Sequence, residues 1–71
     1  MISEKLKVYR QQAKLTQLGL AKKAGVSLGA ITQIEQGITK TPTSDVLIKL
    51  ADALNISIDK LVGRKAKRQK P

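Results

Sequence analysis

Between Leu28 and Gln36 the chain sets Thr32, Gln33 and Gln36 around the apolar residues Ile31 and Ile34. A glutamine amide both donates and accepts hydrogen bonds, which is the pairing that adenine N6 and N7 offer in the major groove of duplex DNA. Thr32 adds a hydroxyl and a methyl. Gly29 and Ala30 are small enough to let a backbone approach a partner closely, and Leu28 suits a thymine methyl. The same side chains also suit a solvated helix face, so both readings stand at this point. Upstream, Gln17 follows Thr16 at the start of another helical pattern. Unpaired N–H groups and the positive end of the dipole make such a start a seat for phosphate. An ordinary capped helix begins in the same way.

Reaction chemistry is poorly supplied. The sequence has no histidine and no cysteine, which excludes disulfides, thiolate nucleophiles, the usual zinc sites and any Ser-His-Asp arrangement. Glu4, Glu35, Asp45, Asp52 and Asp59 are scattered, with no pair at acid–base or ligand spacing. No enzyme activity, cofactor or metal is expected. Tyr9 is the one aromatic residue, so there is no stacking platform for single-stranded RNA.

The charge favours a polyanionic partner. The net charge is +9 on 71 residues, a length that allows one small domain. Arg64, Lys65, Lys67, Arg68 and Lys70 lie in the last nine residues and leave +4 on the body. Residues 1–62 are therefore expected to form the folded domain and residues 63–71 a flexible basic tail. The tail reads as an arm that tracks phosphates, as a solvated end, or as the start of a further domain. The N-terminus lacks the continuous apolar run of a secretory signal, and no apolar run would span a bilayer. A cytoplasmic protein without membrane attachment is expected.

Five helices must position these groups. The first is expected from about Ser3 as N-cap to Ala13, with Ile2, Leu6, Tyr9 and Ala13 on one face. The second starts at the N-cap Thr16 and ends before Gly25, which suits a left-handed C′ position. Leu15 and Leu20 have the spacing of a hydrophobic staple. Gly19 occupies the position where a capping box would carry Glu, and a helical glycine costs roughly 1 kcal/mol relative to alanine. The third helix starts at the N-cap Ser27 and stops at Gly37, with Val26 and Ile31 as its staple pair. Ile31 and Ile34 face inward, and Leu28, Gly29, Thr32, Gln33 and Gln36 face outward. A loop from Ile38 to Pro42 follows, because proline restricts Thr41 to an extended backbone. Thr43 or Ser44 caps the fourth helix, whose stripe is Leu47, Leu50, Ala51 and Leu54, with Asn55 left-handed beyond it. Ser57 caps a short fifth helix over Ile58–Val62, and Ile56 and Leu61 repeat the staple.

The order and spacing of Leu6-Lys7, Arg10, Leu15-Thr16-Gln17, Leu20-Ala21, Gly25-Val26-Ser27, Ile31, Ile34-Glu35, Gly37, Pro42, Leu47, Leu50-Ala51, Leu54 and Ser57 to Leu61 resemble the Cro and lambda-repressor type of helix-turn-helix, the XRE family. The resemblance covers nearly all of the chain from about Glu4 to Val62. It implies an all-α, compact five-helix lambda-repressor-like domain with the helix-turn-helix at helices 2 and 3. It also implies that helix 3 enters the major groove of double-stranded DNA, with Leu28, Gly29, Thr32, Gln33 and Gln36 toward the bases. Gln17, Ser27, Lys40, Thr43 and Arg10 are candidates for phosphate contact. Arg10 and Glu35 match a family pair that forms a structural salt bridge between helices 1 and 3. The family usually binds as a homodimer on palindromic sites. Ile56, Ile58 and Val62 are candidate dimer contacts, or simply close the core.

The chain departs from the family at Gly19, Leu28 and Gly29, where polar or acidic residues are common. Fewer base hydrogen bonds are then available, and readout is expected to lean on methyl contact and DNA shape. Two functions from different classes follow. The first is a sequence-specific transcriptional regulator, expected to be a repressor. The second is an antitoxin-like or other protein-interaction module with secondary DNA binding, supported by Leu18, Leu28 and the apolar residues of helix 5.

Overall fold

Ile2 and Leu6 stand one helical turn apart, and both are buried. Their side chains dock the first helix, α1 (Ile2–Gln12), onto the rest of the molecule. The computed structural model describes residues 2 to 63. The basic tail beyond Gly63 lies outside the described residues. Four more helices follow: α2 (Gln17–Ala24), α3 (Leu28–Glu35), α4 (Ser44–Leu54) and α5 (Ile58–Val62). The described residues form the all-α, five-helix lambda-repressor-like domain expected from the sequence. α1 packs on α3 and α5, α2 on α3 and α4, and α4 on α5.

The core joins Ile2, Leu6, Leu20, Ala21, Ile31, Ile34, Leu50, Ala51, Ala53, Leu54 and Leu61. Each helix contributes a narrow apolar stripe that it could not bury alone, and closing five stripes on one another removes them from water. Ala53 lies off the expected α4 stripe, yet it is buried because α4 is covered on two sides, by α2 and α5.

Two expectations for α1 need correction. Ser3 lies inside the first turn and is not the N-cap, since the helix already includes the buried Ile2. Ala13 lies beyond the helix and is exposed, so it does not extend the apolar face. The reason is a turn at Lys14, which is left-handed at φ 60°. The Leu15 N–H reaches back to the Arg10 carbonyl at 3.1 Å and the Lys14 N–H to the Gln11 carbonyl at 2.9 Å. These are the two bonds of a Schellman ending. Position 14 is a lysine, so neither glycine nor asparagine announces the turn.

Three of the four linkers share a device. Leu15, Val26 and Ile56 each donate a backbone N–H to the helix behind them, and each directly precedes the N-cap of the helix ahead. One half-buried apolar residue thus closes one helix and staples the next.

Candidate nucleic-acid interface

Ser27 starts α3, its hydroxyl accepting the Ala30 N–H at 3.0 Å. Gly25, at φ 73°, turns the chain so that α3 leaves α2 after three residues. No heavy atom lies within 4 Å of where its Cβ would stand, so only the backbone conformation demands glycine here. Ile31 and Ile34 are 0% and 1% exposed and lock the inner face of α3. The outer face carries Leu28, Gly29, Gln33 and Gln36 as exposed residues and Thr32 as a half-buried one. Leu28 is 43% exposed.

Two of these side chains already have internal partners. The Thr32 hydroxyl donates to the Gly29 carbonyl at 3.0 Å, which leaves its oxygen lone pair and methyl to face outward. The Gln33 Oε1 accepts from the Thr39 hydroxyl at a long 3.4 Å, which leaves the Nε2 donors available. Neither contact was expected from the sequence. An i−3 carbonyl is always within reach of a helical threonine, but the Thr39 contact depends on how the loop folds back.

The phosphate candidates lie at helix starts and in the loop. The Thr16 hydroxyl caps α2 by accepting the Gly19 N–H at 2.9 Å. The first N–H groups of α2, those of Gln17 and Leu18, then have no intrahelical acceptor. A Cβ at Gly19 would stand 3.2 Å from the Thr16 Oγ1, tighter than an ordinary contact. Ser27 and Thr43 are N-caps too, with Thr43 chosen over Ser44; its hydroxyl accepts the Val46 N–H at 3.3 Å. A capping hydroxyl accepts through oxygen and keeps its own O–H to donate outward. Lys40 is exposed in the loop between α3 and α4.

Arg10 is held differently. Its Nε donates to Glu35 Oε2 at 2.7 Å, its Nη2 to Glu35 Oε1 at 3.1 Å and its Nη1 to the Leu15 carbonyl at 2.7 Å. The side chain is 13% exposed and that of Glu35 2%. This forked pair ties α1 to α3 and to the start of α2. Glu35 Oε1 also accepts from Gln17 Nε2 at 3.0 Å, a partnership not foreseen for Gln17. Burial alone would raise the Glu35 carboxyl. The hydrogen bonds from Arg10 and Gln17, with the charges of Arg10 and Lys7, outweigh it and hold the group below its ordinary value.

The apolar candidates divide. Ile56 and Val62 are both half-buried against the core. Ile58 is 39% exposed. With the half-buried Val62, it lines a groove of about 400 Å³ whose other walls include Ile2, Pro42 and Leu47. Leu18 is 49% exposed on α2. Among the described residues, no helix is long and apolar enough to cross a membrane.

Comparison with known proteins gives this arrangement a family. A model described as helix-turn-helix matches residues 6–61. The chain is 43% identical over 63 residues to the cryptic phage CTXphi transcriptional repressor RstR of Vibrio cholerae, covering 89% of this chain and 55% of that protein. It is 40% identical over 62 residues to the uncharacterized HTH-type transcriptional regulator YqaE of Bacillus subtilis, covering 87% and 53%. It is 35% identical over 57 residues to YazB of the same species, also an uncharacterized HTH-type transcriptional regulator, covering 80% and 81%. The chain thus spans about half the length of the first two relatives and most of the third. With the α2–turn–α3 unit at the centre of the matched segment, the chain belongs to the helix-turn-helix family, in its XRE, Cro and lambda-repressor-like form.

Proposed function

We propose that this protein is a sequence-specific, double-stranded DNA-binding transcription regulator, acting as a repressor in the cytoplasm and not as an enzyme. The observation that carries the reading is the division of α3. Its inner face is closed by Ile31, Ile34 and Glu35, while Leu28, Gly29, Gln33 and Gln36 remain exposed on a helix of major-groove size. Leu28, Gly29, Thr32, Gln33 and Gln36 contact base edges. The Gln17 amide, the Ser27 and Thr43 hydroxyls and the Lys40 ammonium contact phosphates and set the register. Arg10 serves the scaffold through Glu35, since three of its donors already have protein acceptors.

One module of this size buries little DNA, so tight specific binding needs two copies on a palindrome with half-sites about one helical turn apart. Ile58 and Val62 supply apolar surface for that dimer. Selection of bound sites from a random duplex library at near-physiological salt tests the reading. Enrichment of such a palindrome supports it. Binding without enrichment, lost steeply as salt rises, overturns sequence specificity.

The exposure of Leu18 and Leu28 favours a second reading, a protein-interaction module with secondary DNA binding. Under that reading, Leu28→Lys abolishes partner capture and leaves a DNA footprint intact. Under the first, it destroys the footprint.

A further inference from the structure

We infer that Glu35 is a positioning residue for DNA contact, holding the Gln17 amide by one N–H so that the other is offered to a phosphate. This rests on the interface proposed above. The start of α2 is clamped on both sides of its Thr16 cap by one ion pair. Before the cap, the Leu15 carbonyl accepts from Arg10 at 2.7 Å; after it, Gln17 Nε2 donates to Glu35 at 3.0 Å. An ionised carboxylate only accepts, so it selects the nitrogen of the amide and repels the oxygen. Arg10 keeps that carboxylate ionised by donating to both of its oxygens. Gln17 Nε2 carries two hydrogens. One is fixed on Glu35, and the other is left for a further acceptor at the helix start, where backbone N–H groups are also unpaired. A phosphate oxygen also only accepts, so it needs that second hydrogen. A long side chain that would otherwise lose rotamer freedom on binding is ordered beforehand.

Replacing Glu35 by glutamine keeps the size but removes the selection. A glutamine both donates and accepts, so either orientation of the Gln17 amide then finds a partner. The test is a double-mutant cycle of wild type, Gln17→Ala, Glu35→Gln and the double variant, each bound to a short mixed-sequence duplex at low salt. Circular dichroism sets a temperature at which all four are folded. Gln17→Ala is expected to weaken binding by roughly 10-fold, the low end for a hydrogen bond to a charged acceptor, and Glu35→Gln by no more than that. The double variant should bind no more weakly than Gln17→Ala alone. A Glu35→Gln loss that persists in full beside Gln17→Ala overturns the inference and leaves Glu35 a scaffold residue. A Gln17→Ala protein that binds like wild type also overturns it, while the DNA-binding reading survives. A wild type that binds no duplex removes both.

A second measurement needs no Glu35 variant. In the 15N–1H spectrum of the wild-type protein, the Gln17 side-chain amide should show one proton moved downfield and slowed in exchange. Shifts like those of a free glutamine side chain would overturn the tether.

Discussion

Two segments of this chain begin alike and end differently. Gly25-Val26-Ser27 follows α2, and Gly37-Ile38-Thr39 follows α3. Both glycines are left-handed, at φ 73° and 81°. Val26 and Ile38 both send an N–H back to the helix behind, at 3.0 and 2.9 Å. After Ser27 a helix starts at once. After Thr39 none starts until Ser44. The following residues make the difference. Val26 meets Ile31 at the staple position, whereas the equivalent position for Ile38 is the polar Thr43. Pro42 also keeps Thr41 out of the helical region. Ile38 is left 66% exposed, and the Thr39 hydroxyl turns back to Gln33 instead of capping a helix. The tight turn fixes α2 against α3, and the open loop carries Lys40 and Thr43 past the end of α3. A shared three-residue pattern therefore sets the exit from a helix, and the next five residues decide the entrance to another.

The comparison is broken most severely at the staple. Ile31→Ala is expected to destabilise the fold by about 2–5 kcal/mol, because it opens a cavity at a fully buried site. Ile38→Ala should stay within about 0.5 kcal/mol, as an exposed residue without such a partner. Urea unfolding of the pair checks this, and equal losses would show that Ile38 is as much a structural residue as Ile31. A smaller effect is expected at the left-handed positions. Gly25→Ala should cost about 1–2 kcal/mol, the penalty for placing a Cβ in that conformation. Lys14→Gly should run the other way, raising the melting temperature by relieving the same conformation at φ 60°. If Lys14→Gly is neutral or harmful, the added freedom of the unfolded chain outweighs the relief. The smallest difference concerns the hydroxyls. Ser27→Ala removes an N-cap bond and should cost about 1 kcal/mol. Thr39→Ala removes only a long side-chain contact, and its melting curve should overlay that of wild type.

Much of the fold was legible because the decisive signals are local. Thr16, Ser27 and Ser57 each cap through a bond to the N–H three residues on, so the residue type and the apolar spacing behind it suffice. Gly25, Gly37 and Asn55 are the types that tolerate a left-handed backbone, and all three adopt it. Lys14 does so as well, although lysine gives no such signal; the Schellman bonds and the docking of Leu15 hold it there. Ser3 looked like a cap by the same local rule and is not one, because packing draws Ile2 into the helix. Ala13 fits the period of α1 but falls after its end. Periodicity says which face a residue would take in a helix, and not where the helix stops.

The outward face of α3 was readable for a similar reason. Once Ile31 and Ile34 are assigned inward, the 3.6-residue period sends Gly29, Gln33 and Gln36 elsewhere, whereas Leu28, one turn before Ile31, is left exposed at the first position of the helix. The sequence by itself therefore determined the five helices, the caps of α2, α3 and α5, the turn between α2 and α3 and most of the residues available to a partner. The family resemblance pointed to Arg10 with Glu35, 25 residues apart, but only the tertiary structure decided which other groups are already engaged; Gln17 and Glu35 lie 18 apart. No local pattern ties Gln17 to Glu35, and none ties Gln33 to the folded-back Thr39. Capping and helical period act over three or four residues, so a sequence states them directly. Bonds between helices require three axes to be docked first, and that docking is set by the buried stripes of the whole chain acting together.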